Sequence, residues 1–375
     1  MSHVSKTTDQ SFETKRGWFG LVQTVLSDKA SGRDNNLNLI RAVAATAVLV
    51  SHAYPIALGP DAIQPLKDLT GHSLGSLSVY VFFAISGFLI TMSFERTSTY
   101  TSFMAARVLR LFPGLLISLL AVAFLLGPMV STLGVAGYLT HIETYTFTIR
   151  NMLLYPLQYT LPGVFETQPY PSVEGSIWTL FYEVVCYMGV FVLGVIGILR
   201  RPMLVGAAFG AYLVIWFGIE WLDMPVNRIV RIQELSLPFV IGMAFYVWRE
   251  KLPLSLIGVV ALVGLTWAAS ATLAYDFVLA LALSYATFWL AYIPGGLIRR
   301  YNEIGDYSYG IYIYAFPLQG LAVWLMPGQQ PLTNMAISFP LTLICAVASW
   351  HLIEGPAMAM KPKLLQVLGR PARAL

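Results

Sequence analysis

Five side chains in this sequence have the type and spacing to do chemistry inside a membrane. Arg41 and His52 share one apolar stretch, NLNLIRAVAATAVLVSHAY (36–54), and stand eleven positions apart. On an α-helix that is three turns plus ~20°, so both project from one face, ~16 Å apart along the axis. Charged and titratable groups within a span are functional candidates by default. A neutral imidazole can act as general base, or accept an acyl group, near neutral pH. Arginine stays charged and holds anions instead. Arg107 and Arg110, in ARVLRLFPG, are three apart and share a helical face. Their two guanidinium forks could hold phosphate oxygens in pairs. Glu183, in GSIWTLFYEVVCYMG, sits ~10 Å below the end of its span, at a depth that overlaps that of His52. A lone carboxylate there needs a partner, and pairing with His52 would fix the tautomer and support an imidazolium.

Each of these residues also has a structural reading. His52 could be interhelical glue, Arg41 could snorkel to headgroups, the Arg107/Arg110 pair could serve only to orient the chain, and Glu183 could be a protonated carboxyl hydrogen-bonding across helices. Glu354, in HLIEGPAM, reads as structural, and Asp34 and Asp306 as helix caps. There is no Cys/His cluster, no HExxH and no phosphate-cradling glycine loop, so no metal or permanently bound cofactor is expected.

The elements that position these groups must be membrane helices. The chain of 375 residues is 57% hydrophobic and 11% charged, with a mean hydropathy of +0.67. Soluble domains carry about 25% charge, so the expected fold class is all-α, a polytopic membrane protein. A net charge of +4 dispersed at the ends of apolar runs does not suit nucleic acid. Cys186 and Cys345 both fall inside expected spans and make no disulfide scaffold.

Apolar runs of spanning length fall at about 37–56, 76–94, 111–130, 176–198, 203–221, 232–248, 254–272, 274–293, 304–326 and 333–353. That predicts ten helices. Lys and Arg crowd the segments after each even-numbered span and the two tails, while the other connections hold only Lys67, Arg150, Arg228 and Arg231. The positive-inside rule then places both termini in the cytoplasm. Residues 1–33 read as a cytoplasmic tail with a short amphipathic helix around Trp18–Leu26 and no cleavable signal, and 357–375 as a second tail. Two outer connections are long, 57–75 and 131–175. The second is rich in Tyr and Pro and suits a lid or a sugar-contacting surface as well as an interfacial aromatic belt. No internal repeat supports a transporter built from tandem halves.

Several of these stretches, in order, resemble the acyltransferase 3 family of integral membrane acyltransferases. Arg41 and His52 match its Arg-x10-His motif, and Arg107 and Arg110 its Arg-x-x-Arg motif. VYVFFAISGFLIT (79–91) resembles its second-span block. SIWTLFYE resembles its Ser-x-Trp-Ser-Leu-x-x-Glu element, on Ser176, Trp178, Thr179 and Glu183, while GDYSYGIYIYAFP and HLIEGP (351–356) resemble its last two span signatures. The resemblance covers about 34–356. Tyr80 and Ala315 stand where the family often has aspartate and histidine, and no fused SGNH esterase-like domain is expected.

The resemblance implies transfer of an acyl group, expected to be acetyl from cytoplasmic acetyl-CoA, to a hydroxyl of an extracytoplasmic polysaccharide or lipid-linked glycan at a bacterial inner membrane. Arg41, Arg107 and Arg110 would meet the acyl-CoA phosphates. His52 would act as base or transient acyl carrier with Glu183 orienting it, and Ser176, Trp178 and Thr179 would support the acceptor side. The partners expected are acyl-CoA, the glycan, membrane lipids and a polysaccharide-synthesis complex. The rival readings are a flippase for a lipid-linked sugar, using the same charges as a pathway, and a membrane-embedded partner without chemistry.

Overall fold

The structure is a computed structural model that describes residues 24–30, 32, 34–97, 99–222 and 225–368. Its main helices are α1 (Leu37–Leu58), α2 (Leu74–Arg96), α3 (Tyr100–Ala121), α4 (Gly134–Thr140), α5 (Ile142–Met152) and α6 (Trp178–Val195). They continue with α7 (Pro202–Trp221), α8 (Arg228–Val247), α9 (Leu256–Ala268), α10 (Tyr275–Tyr292), α11 (Ser308–Leu325) and α12 (Pro331–Ser349). Helix α3 runs on through a π-helical turn (Val122–Leu126) to Val130, and α12 through another (Trp350–Glu354) to Val367. The only strands among the described residues are β1 (Thr24–Val25) and β2 (Pro253–Leu254), paired antiparallel.

Of the ten expected spans, eight are helices long and apolar enough to cross a bilayer. The other two are helical but fall short, each for its own reason. Helix α9 has 13 residues, because the turn before Tyr275 uses up the rest of the apolar run. Helix α11 has 18 residues that include three Tyr, two Gly and one Gln, and every residue from Ser308 to Pro317 is buried by other helices. A helix wrapped in protein need not be lipophilic. The chain is an integral membrane protein, and α7 and α9 show the lipid side of that fact. Met203 is 89% and Trp221 78% exposed, and α9 buries no residue.

Local sequence explains several starts and stops. Ser73, Thr99, Asn227 and Ser255 each accept a backbone N–H of the following first turn, satisfying donors that the helix itself leaves free. Helix α1 ends at Gly59, whose φ of +103° is readily open only to glycine. At the centre α2 and α8 touch backbone to backbone. A Cβ at Gly87 would lie 1.9 Å from the Phe239 carbonyl oxygen, and one at Gly242 2.0 Å from that of Ala84. Membrane helices without a hydrophobic drive associate through such small-residue contacts.

Two expectations change. Of the amphipathic helix expected over Trp18–Leu26, residues 18–23 lie outside the described residues, while Thr24–Val25 is extended and a short helix begins at Leu26. The connection 131–175 is a folded part of the core rather than a free lid. It contains α4 and α5 and buries Tyr138, Phe147, Leu161, Val164, Phe165 and Val173.

Candidate active site

All the sequence-predicted residues but Ser176 line two cavities that follow one another across the bundle. The first, of about 250 Å³, is lined by Arg41, Arg107, Arg110, Glu183 and Lys361. The second, of about 630 Å³, is lined by His52, Trp178, Arg231 and Glu234 and by Tyr159 and Tyr170 of the 131–175 connection. Two residues, Val79 and Tyr312, line both. Helix α1 carries Arg41 into one cavity and His52 into the other, which the ~16 Å between them along the helix makes natural.

In the first cavity the charges form a chain. Arg41 donates to Asp306 at 2.5 Å, and Arg110 reaches Asp306 at 2.7 Å and Glu354 at 2.9 Å. Ser349 donates to Glu354, which is fully buried within the π-helical turn that follows α12. Two cations and two carboxylates thus neutralise one another, and the forks of Arg41 and Arg110 are engaged. Asp306 does accept the Ser308 N–H, as a cap would, but its second oxygen bridges the two arginines. Asp34, the other expected cap, pairs with Arg299 instead. Arg107 differs. It donates to Ser93, packs over the rings of Phe103 (5.8 Å) and Tyr187 (6.0 Å), makes no ion pair and keeps a buried Nε without a partner among the described residues.

His52 and Glu183 are not brought together. Glu183 lines the first cavity and accepts from Ser86 at 3.2 Å and from Tyr187. His52 lines the second, packed edge-on against Phe316 at 5.5 Å, and its buried Nδ1 has no partner among the described residues. Neither the depth nor the neighbour holds: Glu183, held by Ser86, sits at the level of Arg41 and Arg107, because rise measures distance along one helix and not where that helix starts relative to the others.

Ser176 and Thr179 act through Tyr312. The Tyr312 hydroxyl donates to the Ser176 carbonyl at 2.6 Å and lies 2.6 Å from Thr179 Oγ1, while Ser176 Oγ donates to the Tyr312 carbonyl at 3.1 Å. Trp178 instead faces the second cavity, with Arg231 5.2 Å over its ring. The wall between the cavities is therefore pinned by the SIWT segment. Tyr312 was not singled out from sequence, although it lies inside a quoted signature. Glu174 was also missed. Its Oε1 accepts from the Ser176 N–H and Oγ, its Oε2 has no partner among the described residues, and burial pushes its carboxyl up to about 8.

A neutral Glu174 carries a prediction. Its folded value lies above the ordinary carboxylate range, so the group favours the fold at low pH. That contribution fades as pH rises through the interval up to about 8. Glu174→Gln, which cannot ionise, is expected to match the parent near pH 4 and to be the more heat-resistant of the two at pH 9. Thermal midpoints at both pH values decide it, and equal alkaline sensitivity in the two proteins refutes the assignment.

The sequence matches the family described as an acyltransferase domain over residues 34–351. This chain belongs to the acyltransferase 3 family. It is similar to the O-acetyl transferase of Shigella phage Sf6, 29% identical over 336 residues, covering 86% of this chain and 95% of that one. It is also similar to nodulation protein 10 of Rhizobium leguminosarum bv. viciae, 26% identical over 376 residues, covering 90% and 97%. No solved structure matches the chain. The family membership makes this chain an integral membrane acyltransferase and removes the support from a flippase reading.

Proposed function

We propose that this acyltransferase moves an acetyl group from acetyl-CoA, entering at the basic end of the bundle, to a glycan hydroxyl entering at the other. The observation that carries the reading is the wall at Val79 and Tyr312, shared by a cavity holding the uncommitted Arg107 and a cavity holding His52. The phage relative's name supports the acetyl group and the oxygen acceptor. The acyl-CoA donor, the extracytoplasmic glycan and a bacterial inner membrane with both termini inside are this proposal's own, and follow the asymmetry of Lys and Arg along the sequence.

His52 takes the proton of the acceptor hydroxyl as its oxygen attacks the thioester carbonyl. The C–S bond then breaks, and the imidazolium returns the proton to the departing thiolate, so CoA leaves as the thiol. Phe316 holds the imidazole edge-on. Glu183 does not orient it; paired with Tyr187 and Ser86, it shapes the donor cavity instead.

The test is sided. In proteoliposomes with acetyl-CoA on one face and glycan on the other, O-acetyl ester should form only when the donor is on the basic side. Ester formed without CoA, or from either side equally, overturns the reading. In the same assay Arg107→Ala is expected to weaken acetyl-CoA binding about tenfold or more, and Arg107→Lys less, since lysine keeps the charge and loses the planar fork. Unchanged CoA affinity in Arg107→Ala would leave this arginine with no part in donor binding.

A further inference from the structure

A third cavity, of about 470 Å³, lies at the basic end where α2 meets α3 and where α6 turns into α7. It takes no part in the chemistry above. Three arginines line it: Arg96, Arg200 and Arg249. Arg249 is engaged, stacked 4.2 Å over Tyr246 and 3.7 Å from Glu95, which also accepts from the Tyr246 hydroxyl. Glu250 is the other carboxylate on the wall. Arg96 and Arg200 make no ion pair among the described residues. Opposite them, Phe94, Tyr100 and Phe103 form an aromatic wall, Phe94 and Tyr100 stacked at 6.1 Å and Phe94 edge-on to Phe103 at 5.3 Å.

We propose that this cavity takes a phosphate ester, and that the ligand is the nucleotide end of the acyl donor. The inference rests on the donor reading above and deepens it through three observations. The first cavity, at about 250 Å³, is smaller than the roughly 300–1,000 Å³ of pockets that enclose drug-sized ligands, and a coenzyme A thioester exceeds those. Two of its three arginines are spent, since Arg41 and Arg110 are neutralised by Asp306 and Glu354, which leaves Arg107 and Lys361. A donor with several phosphates calls for further cations, and its adenine for a flat apolar surface.

The third observation is alignment. The two cavities succeed one another along the same helices. On α2, Ile90 lines the first and Thr91 the third, and on α3, Arg107 lines the first and Phe103, one turn earlier, the third. From Ser86, which holds Glu183, to Arg96 is ten residues, or ~15 Å of helix. A flexible pantetheine arm laid along α2 past Phe103 and Arg107 would join a thioester at the Tyr312 wall to phosphates at Arg96 and Arg200. The same chemistry, a phosphate ester beside apolar groups, also describes an anionic lipid headgroup, and the experiment separates the two sources.

Adenosine 3′,5′-bisphosphate carries phosphates and base but neither pantetheine arm nor thioester, so it probes this cavity alone. Titrated into the purified full-length protein, it should bind the parent and bind the Arg96→Ala/Arg200→Ala double variant at least about tenfold more weakly. Both side chains are exposed, so the variant should fold. In a parallel arm, parent and double variant are compared in nanodiscs of phosphatidylglycerol and of phosphatidylcholine. Unchanged bisphosphate binding, with a phosphatidylglycerol preference lost in the variant, assigns the site to a lipid headgroup. No change in either arm overturns the phosphate site. A parent that binds acetyl-CoA but not the bisphosphate overturns the nucleotide assignment and leaves the donor reading standing. A parent that binds no acetyl-CoA removes both.

Discussion

His52→Ala is expected to lower acyl transfer at least about 10²-fold while the protein inserts, folds and binds acetyl-CoA as the parent does. General-base catalysis contributes roughly 10²–10⁴ in rate, and no other imidazole or carboxylate lining the second cavity stands against Phe316 and the Tyr312 wall to replace it. Stability should change little. The imidazole makes no ion pair, and its Nδ1 has no partner among the described residues, so truncation orphans no buried charge and makes α1 more apolar. Donor affinity should survive because the Arg107 cavity lies on the far side of Val79 and Tyr312. The measurements are transfer rate, CoA affinity and thermal midpoint on one preparation. A rate within a few-fold of the parent removes His52 from the chemistry. A lost CoA affinity would mean that the two cavities are one.

The way this site reads from sequence follows from what helical geometry can carry. Helix α1 fixes the distance between Arg41 and His52 because both sit on one unbroken helix, and rise per residue does the rest. Caps at Ser73, Thr99, Asn227 and Ser255 are legible because a hydroxyl or amide satisfies its own first turn. Partners between helices are different. Rise counted from the end of its span set Glu183 level with His52, yet Glu183 lines the Arg41 and Arg107 cavity and faces Tyr187 on its own helix and Ser86 on α2. Asp306 reads as a cap, and its Oδ1 does accept the Ser308 N–H, but nothing local shows that the same carboxylate bridges residues 265 and 196 positions away. Tyr312 is invisible for the same reason, since its place between two cavities belongs to the packing of α2, α6 and α11 rather than to any one of them.

Asp306→Asn is the substitution expected to damage the fold most. The parent network balances: Arg41 and Arg110 are positive, Asp306 and Glu354 negative, and Arg110, Asp306 and Glu354 are largely or wholly buried. Asparagine can still accept the Ser308 N–H through Oδ1. What it offers the guanidinium groups, however, is an amide with no charge, and one cation is left uncompensated. Removing one partner of a buried pair costs about 3–5 kcal/mol, because the remaining charge is stranded away from water. A second substitution separates charge from shape. Arg41→Met together with Asp306→Asn leaves Arg110 facing Glu354, one positive group against one negative, and should recover much of the loss. Arg41 is the better cation to remove, since it is 22% exposed against 14% for Arg110 and holds a single carboxylate. The double variant should therefore be more stable than the single Asp306→Asn, a non-additivity expected only of residues in one network. Thermal or denaturant midpoints of parent, both single variants and the double, in one detergent at one salt concentration, give the coupling directly. If Asp306→Asn lies within about 0.5 kcal/mol of the parent, water reaches the guanidinium groups and the network is not a buried one.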